Sequence, residues 1–137
     1  AIMPPIKIDN SSLFKVANFL RTVDGMPAKQ SRARTKLANA LMAKGDEYIE
    51  SQKQLVEELG GQVQGDDLKI VFKSDNTEAQ LHVKEYLNEL SQEMVVINED
   101  FMGQFAVLKK FFSDWDGEIS SMDADGYDKL LDILDEL

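Results

Sequence analysis

The residues Ser121-Met122-Asp123-Ala124-Asp125-Gly126, with Asp132 six positions beyond the glycine, carry the spacing of a calcium-binding loop. Alternate residues of such a loop aim oxygens at one ion, and the glycine takes a sharp turn. The set is incomplete here: Ser121 stands where the first carboxylate belongs, Asp132 is shorter than the closing glutamate, and Asp128 occupies the place of an apolar anchor. The same acids serve a simpler purpose, capping and charge-complementing the start of a helix. On that reading no metal site and no cofactor are expected.

Other chemistry is equally thin. His82 is the single histidine, and no motif places a serine or a second histidine beside it. Nucleophilic triads and histidine-based metal sites need several partners. Glu57 with Glu58, and Glu85 with Glu89, have the spacing of solvated helix faces rather than of an acid/base pair. There is no cysteine, so disulfides, thiolate ligands and cysteine nucleophiles are excluded. Gly60-Gly61 and Gly65 flank expected strands, and no lysine-serine or lysine-threonine pair opens a helix after them, so a phosphate loop is not read either. No catalytic residue is assigned; a carboxylate-based hydrolase, which only the fold would assemble, stays as a remote alternative.

The most unusual stretch is Lys29-Gln30-Ser31-Arg32-Ala33-Arg34-Thr35-Lys36, four positive charges in eight residues at the expected start of a helix. Cations there oppose the helix dipole by about 0.3–1 kcal/mol each, so something else must favour them. Acids within the fold, an acidic protein partner or phosphates would all do so. Lys29, Arg32, Arg34 and Lys36 are therefore the partner- or anion-binding candidates. At helical spacing Arg32 and Lys36 share one side, while Lys29 is expected nearer the core with Ala33 and Leu37.

The elements that must carry these residues are legible from periodicity. Ile6-Lys7-Ile8 alternates as a short strand does after Pro4 and Pro5, and Asn10, Ser11 and Ser12 offer helix caps. Leu13, Val16, Ala17, Leu20 and Val23 then recur as one apolar stripe, ended by Gly25-Met26-Pro27. A long second helix follows, its face marked by Ala33, Leu37, Ala40, Leu41, Tyr48, Leu55, Val56 and Leu59, with a kink or a split allowed at Gly45 and an end at Gly60-Gly61. Two helices so joined lay their stripes together as a hairpin, which predicts one core from Leu13, Val16, Leu20, Leu37, Leu41 and Tyr48.

Gln62–Gln64 and Leu68–Phe72 read as strands around the turn Gly65-Asp66-Asp67. Asn76 or Thr77 caps a third helix with Ala79, Val83, Tyr86, Leu87 and Leu90 on its apolar face, and Met94–Ile97 is β-rich. These strands are expected in one small, mostly antiparallel sheet. Phe101 to Phe112 forms another helix, through Phe105, Leu108, Phe111 and Phe112. Ser113 to Asp123 is acidic and looks like a mobile linker. The last helix, Gly126 to Leu137, presents Tyr127, Leu130, Leu131, Leu134 and Leu137 for docking on its own domain or on a second copy. The expected fold is a helix-rich α+β domain over residues 1–112, a linker over 113–123, and a docking helix over 124–137.

Composition sets the frame for these details. A chain of 137 residues, 43% hydrophobic and 29% charged, is long enough for one core and too apolar for wholesale disorder. The net charge of −10 is divided unevenly: residues 1–45 hold a balance of +6 and the remainder −16. Oppositely charged halves can pair inside the fold or face two partners. No apolar run approaches the ~20 residues that span a bilayer, so no membrane partner and a cytoplasmic location are expected. Met3 is expected to be the natural start, with Ala1 and Ile2 a remnant.

The basic element Ser31-Arg32-Ala33-Arg34-Thr35-Lys36-Leu37, after a helix containing Asn18-Phe19-Leu20, resembles a family of short uncharacterised proteins of phages and prophages of Gram-positive bacteria. The likeness covers residues 6–97, while the part from Phe101 onward has no counterpart in the family pattern. It implies a phage or prophage origin and a bacterial host cell, and it brings no activity with it. The function expected is a non-enzymatic protein-interaction or assembly module with a protein partner, a homodimer being one form of it. The alternative is a nucleic-acid-binding or regulatory protein acting through Arg32 to Lys36.

Overall fold

The computed structural model describes residues 6–65, 69–72, 77–97 and 101–137. The proposed start at Met3, the prolines Pro4 and Pro5, the turn residues Asp66 and Asp67, Leu68, and the cap at Asn76 lie outside the described residues. The order is β1 (Ile6–Asp9), a 3-10 turn (Asn10–Ser12), α1 (Leu13–Thr22), α2 (Ala28–Glu58), β2 (Gly61–Gln64), β3 (Lys69–Phe72), α3 (Thr77–Gln92), β4 (Met94–Ile97), α4 (Met102–Ser113) and α5 (Ala124–Asp135). This is a helix-rich α+β fold. Among the described residues, no helix is long and apolar enough to cross a membrane.

Helix α1 is the hub, because its apolar residues surround more than half of its circumference. Leu13, Val16, Ala17, Phe19 and Leu20 are all buried, and the helix packs against both α2 and α5. Gly25, at φ 75°, turns the chain back between α1 and α2 in a conformation that costs other residues a Cβ clash. The facing stripe of α2 is Ala33, Leu37, Ala38 and Leu41. The predicted hairpin core is thus present, with Tyr48 half-buried at its margin. The serine caps are not: neither Ser11 nor Ser12 bonds the helix start, and both hydroxyls donate to Asp9 instead. Asn10 closes a different helix end, its Nδ2 donating to Leu90 O at 2.9 Å and its N–H to Glu93 O at 3.0 Å.

Gly45 does not split α2, which runs unbroken for 31 residues. The glycine is buried, and a Cβ there would fall 2.5 Å from the ring of Phe14. The weak helix former is kept because an aromatic ring of α1 occupies the space of its side chain. Past this point α2 leaves the core, and Val56 is its one further buried residue.

The single sheet expected from the four strands is instead two separate antiparallel pairs. β1 pairs with β4, Ile6 opposite Ile97 and Ile8 opposite Val95, and β2 pairs with β3. The reason is distance along the long helix. The chain enters β2 at the far end of α2, about 20 Å past Gly45 at 1.5 Å per residue, and Gly45 is where α2 meets Phe14 near the start of α1, so β2 lies beyond hydrogen-bonding reach of β1. Ile6, Ile8 and Ile97 join the main core, whereas the β2–β3 hairpin rests on Val56 through the buried Gly61. Tyr86, predicted on the inner face of α3, is 47% exposed. The inward face of α3 comes down to Val83 with half-buried Ala79, Leu87 and Leu90.

Residues 114–123 cross the surface without regular secondary structure but hold to the core. Trp115 and Ile119 pack against it, and the indole ring folds over Gly117, where a Cβ would overlap it. Phe19, Phe112, Trp115 and Tyr127 form an aromatic cluster with centroid separations of 5.3 to 6.4 Å, most of them edge-on. Such pairs contribute about 0.5–1.5 kcal/mol each beyond area burial. α5 is docked on α1 and α4 of its own chain, with Leu130, Ile133 and Leu134 buried.

Candidate functional site

The first turns of α2 place the basic element. With Ala33, Leu37 and Ala38 turned to α1, the positions three and four residues apart on the other side are Lys29, Arg32 and Lys36, and all three are exposed. Lys29 therefore lies on the outer face, not near the core as its spacing from Ala33 and Leu37 suggested. The four-residue step from Lys29 to Ala33 is 400° of helix, an offset large enough at a narrow stripe's edge to carry a long side chain into water. Among the described residues no ion pair reaches Lys29, Arg32 or Lys36.

Arg34 is different. It is half-buried and points back to the end of α1, where Nη1 donates to the Val23 carbonyl and Nη2 to Ser31 Oγ at 2.9 Å. A guanidinium at a helix C-terminus satisfies a carbonyl left without an intrahelical partner and faces the negative end of the dipole. Arg34 thus ties the α1–α2 hairpin together and is removed from the surface set. Arg21 extends the cationic region at the other side of the hairpin, its Nη2 donating to Asn39 Oδ1 at 3.2 Å.

The opposite charge collects on α5. Asp125, Asp128, Asp132 and Asp135 are exposed, and Leu130, Ile133 and Leu134 hold the other face down. The one base of the helix, Lys129, reaches across to Asp9 on β1 at 3.1 Å. Burial alone would raise the Asp9 carboxyl. Hydrogen bonds from Ser11, Lys129 and Ser12, with the charge of Lys129, outweigh that and bring it down to about 2.

The calcium-like residues do not form a loop. Gly126 lies inside α5, buried where a Cβ would strike the Lys15 backbone of α1. Its conformation is helical, and close approach of two helices explains the glycine without any ion. Asp123 precedes the helix and accepts a hydrogen bond from Ser120 Oγ at 2.9 Å, while Asp125 and Asp132 project from it two turns apart. Among the described residues, no three acidic or histidine side chains converge as metal ligands would.

One cleft, of about 340 Å³, opens between the end of α1 and the 114–123 segment. Phe19 and Trp115 form its apolar wall, and Thr22, Asp24, Glu118 and Asp123 its polar one. A serine hydroxyl donating to a carboxylate is not an activated nucleophile, since a carboxylate is a poor base toward an alcohol without an intervening imidazole. His82 is exposed on α3, and Glu57, Glu58, Glu85 and Glu89 are exposed as well. The aromatic cluster behind this cleft was not found from sequence. Its signal was the lone tryptophan inside an otherwise acidic connection, followed two residues later by a glycine.

What the geometry offers is two charged faces, basic on α2 and acidic on α5, beside a polar cluster in which Ser11, Ser12 and Lys129 converge on Asp9 and tie β1 to α5. A scan against protein-family models, a search of curated proteins and a search of solved structures each return no match to this chain.

Proposed function

We propose that this chain is a non-enzymatic interaction module that holds an acidic protein surface against the outer face of α2, in the phage or prophage assembly setting implied by its resemblance. The observation that carries the reading is the division of labour within the basic element. Arg34 is used inside the fold, whereas Lys29, Arg32 and Lys36 lie exposed on one face without a described ion-pair partner. Lys29, in the first turn of α2, is unfavourable by about 0.3–1 kcal/mol against the helix dipole, and an acidic partner along the face it shares with Arg32 and Lys36 reverses the sign of that term. A protein partner is favoured over nucleic acid because the net charge of −10 repels a polyphosphate, which Lys29, Arg32 and Lys36, with Arg21 beside them, would have to hold against that field.

Carbodiimide coupling, which joins an ammonium to a carboxylate in direct contact, tests this in extracts of the source cell containing the full chain. Peptide mapping is expected to find Lys29 or Lys36 joined to acidic peptides, with the products insensitive to nuclease and absent from the variant Lys29→Gln, Arg32→Gln, Lys36→Gln. Nuclease-sensitive retention of nucleic acid by these same side chains, or no coupling at them at all, would overturn the proposal.

A further inference from the structure

We infer that the acidic surface fitting α2 is present on the molecule itself, so that two copies associate with α2 of one laid along α5 of the other; this rests on the reading above and names its partner. The two faces carry the same spacing. Lys29, Arg32 and Lys36 stand at i, i+3 and i+7 of α2, and Asp125, Asp128 and Asp132 stand at i, i+3 and i+7 of α5, all six exposed. Each run rises about 10 Å, so two helices side by side and parallel set each cation opposite a carboxylate.

Within one chain the faces do not meet. α1 packs against both helices, and among the described residues no ion pair joins α2 to α5. Lys129, the only base on α5, is held by Asp9 and does not neutralise the outer face. The net charge of −10 sharpens the selection. Two copies of net charge −10 repel on average, and an orientation that matches α2 to α5 replaces that repulsion by attraction at the contact. At about 0.15 M salt the long-range repulsion is screened beyond roughly 8 Å, while pairs in contact persist. Every copy owns both faces, so the contact either closes as a two-fold dimer or repeats head to tail.

Sedimentation equilibrium of the full chain at high micromolar concentration decides this. In about 0.15 M salt the mass is expected to exceed the 15.4 kDa of one chain, and to fall to it near 1 M salt as contact pairs are screened. Arg32→Glu with Lys36→Glu should be monomeric, and so should Asp128→Lys with Asp132→Lys, with circular dichroism showing both folded. Mixed in equal amounts they should associate again, because each variant then presents what the other lacks. Should either reversal fail to fold, Arg32→Gln with Lys36→Gln and Asp128→Asn with Asp132→Asn take their places, and each must lower the mass. A wild-type chain that stays monomeric in about 0.15 M salt, or folded reversal variants whose mixture stays monomeric, would overturn the inference. If Lys29 or Lys36 then couples to a foreign acidic protein, the binding reading stands without self-association; if it couples to nothing, both fall.

Discussion

The two ends of α2 live in different solvents. From Ala28 to Gly45 the helix lies in a core shared with α1 and α4, and five of its residues, Ala33, Leu37, Ala38, Leu41 and Gly45, are buried. From Asp46 to Glu58 it carries the β2–β3 hairpin and α3, keeps Tyr48 half-buried at the core's margin, and buries Val56 alone. α3 repeats the contrast with one buried residue, Val83, and with Leu81 and Tyr86 about half exposed. Between these distal elements a groove of about 220 Å³, lined by Val56, Val63, Ile70 and Leu87, is left open. Continuous secondary structure therefore does not imply uniform stability. Local stability follows buried apolar contact, and here that contact ends near the residue where Phe14 fills the place of a side chain on Gly45.

The largest effect that sharpens this contrast is a matched pair of truncations. Leu20 and Leu87 are the same residue type, one fully buried on α1 and one half-buried on α3. Leu20→Ala is expected to cost about 2–5 kcal/mol, because neighbours fixed on three sides cannot collapse into the cavity. Leu87→Ala, beside an existing groove, should cost about 1 kcal/mol, since little apolar area leaves a dry environment. Urea denaturation measures both. Equal losses would mean that the distal elements share the main core after all.

Hydrogen exchange addresses the same contrast without mutation. Amides of α1 and α4 should exchange only on global unfolding, and those of α3 and of residues 46–58 through a smaller opening, at protection lower by a few kcal/mol. A single protection level along the whole of α2 would contradict the division at Gly45.

How far this was visible in the residues depends on the kind of signal. The stripes of α1, α4 and α5 announced themselves, since Leu13, Val16 and Leu20, or Leu130 and Leu134, recur with the helix period and no neighbour disputes them. Gly45 and Gly126 did not, because a glycine looks the same in a turn, at a kink or under another helix; only the third dimension supplies Phe14 over one and the Lys15 carbonyl over the other. Strand identity was legible and strand pairing was not: alternation fixes a face, but the partner depends on where a 31-residue helix delivers the chain. In the basic element, type and spacing located four cations, yet gave no means of separating Arg34, which reaches the end of α1, from the three that face water.

A glycine substitution probes the packed end at intermediate cost. Gly126→Ala adds one methyl where α5 touches the Lys15 backbone, and backbone cannot rotate away as a side chain does. Overpacking of about 1–3 kcal/mol is set against a gain of about 1 kcal/mol in helix propensity, for a net loss of about 1 kcal/mol. Gly103→Ala, in open space on α4, should show the gain alone. If both substitutions stabilise the protein in thermal melts, the close approach of α1 and α5 is not tight.

The smallest expected effect belongs to the ion pair that ties β1 to α5, and it shows as a dependence on pH. Asp9 is lowered to about 2 from an ordinary 3.8, so the folded protein holds the carboxylate more firmly ionised than the unfolded chain does. Its stabilising contribution is therefore complete above the unfolded value, declines as pH falls below about 3.8, and is gone once pH passes about 2. Both partners keep some exposure, with 35% of the Lys129 side chain and 20% of the Asp9 side chain accessible, so solvent screening holds the expected size to about 1 kcal/mol or less. Asp9→Asn removes the charge and keeps the shape. The difference in stability between wild type and variant, measured by urea denaturation from neutral pH downward, should be constant to about pH 4 and should shrink to nothing near the lower value. The last turn of α3, which Asn10 closes, adjoins Asp9 and is left out of the comparison. Because the pair joins β1 to α5, exchange rates in the β2–β3 hairpin and in residues 46–58 should not respond to the substitution beyond the global change. A local response there would couple the two ends of α2 and would dissolve the contrast between them.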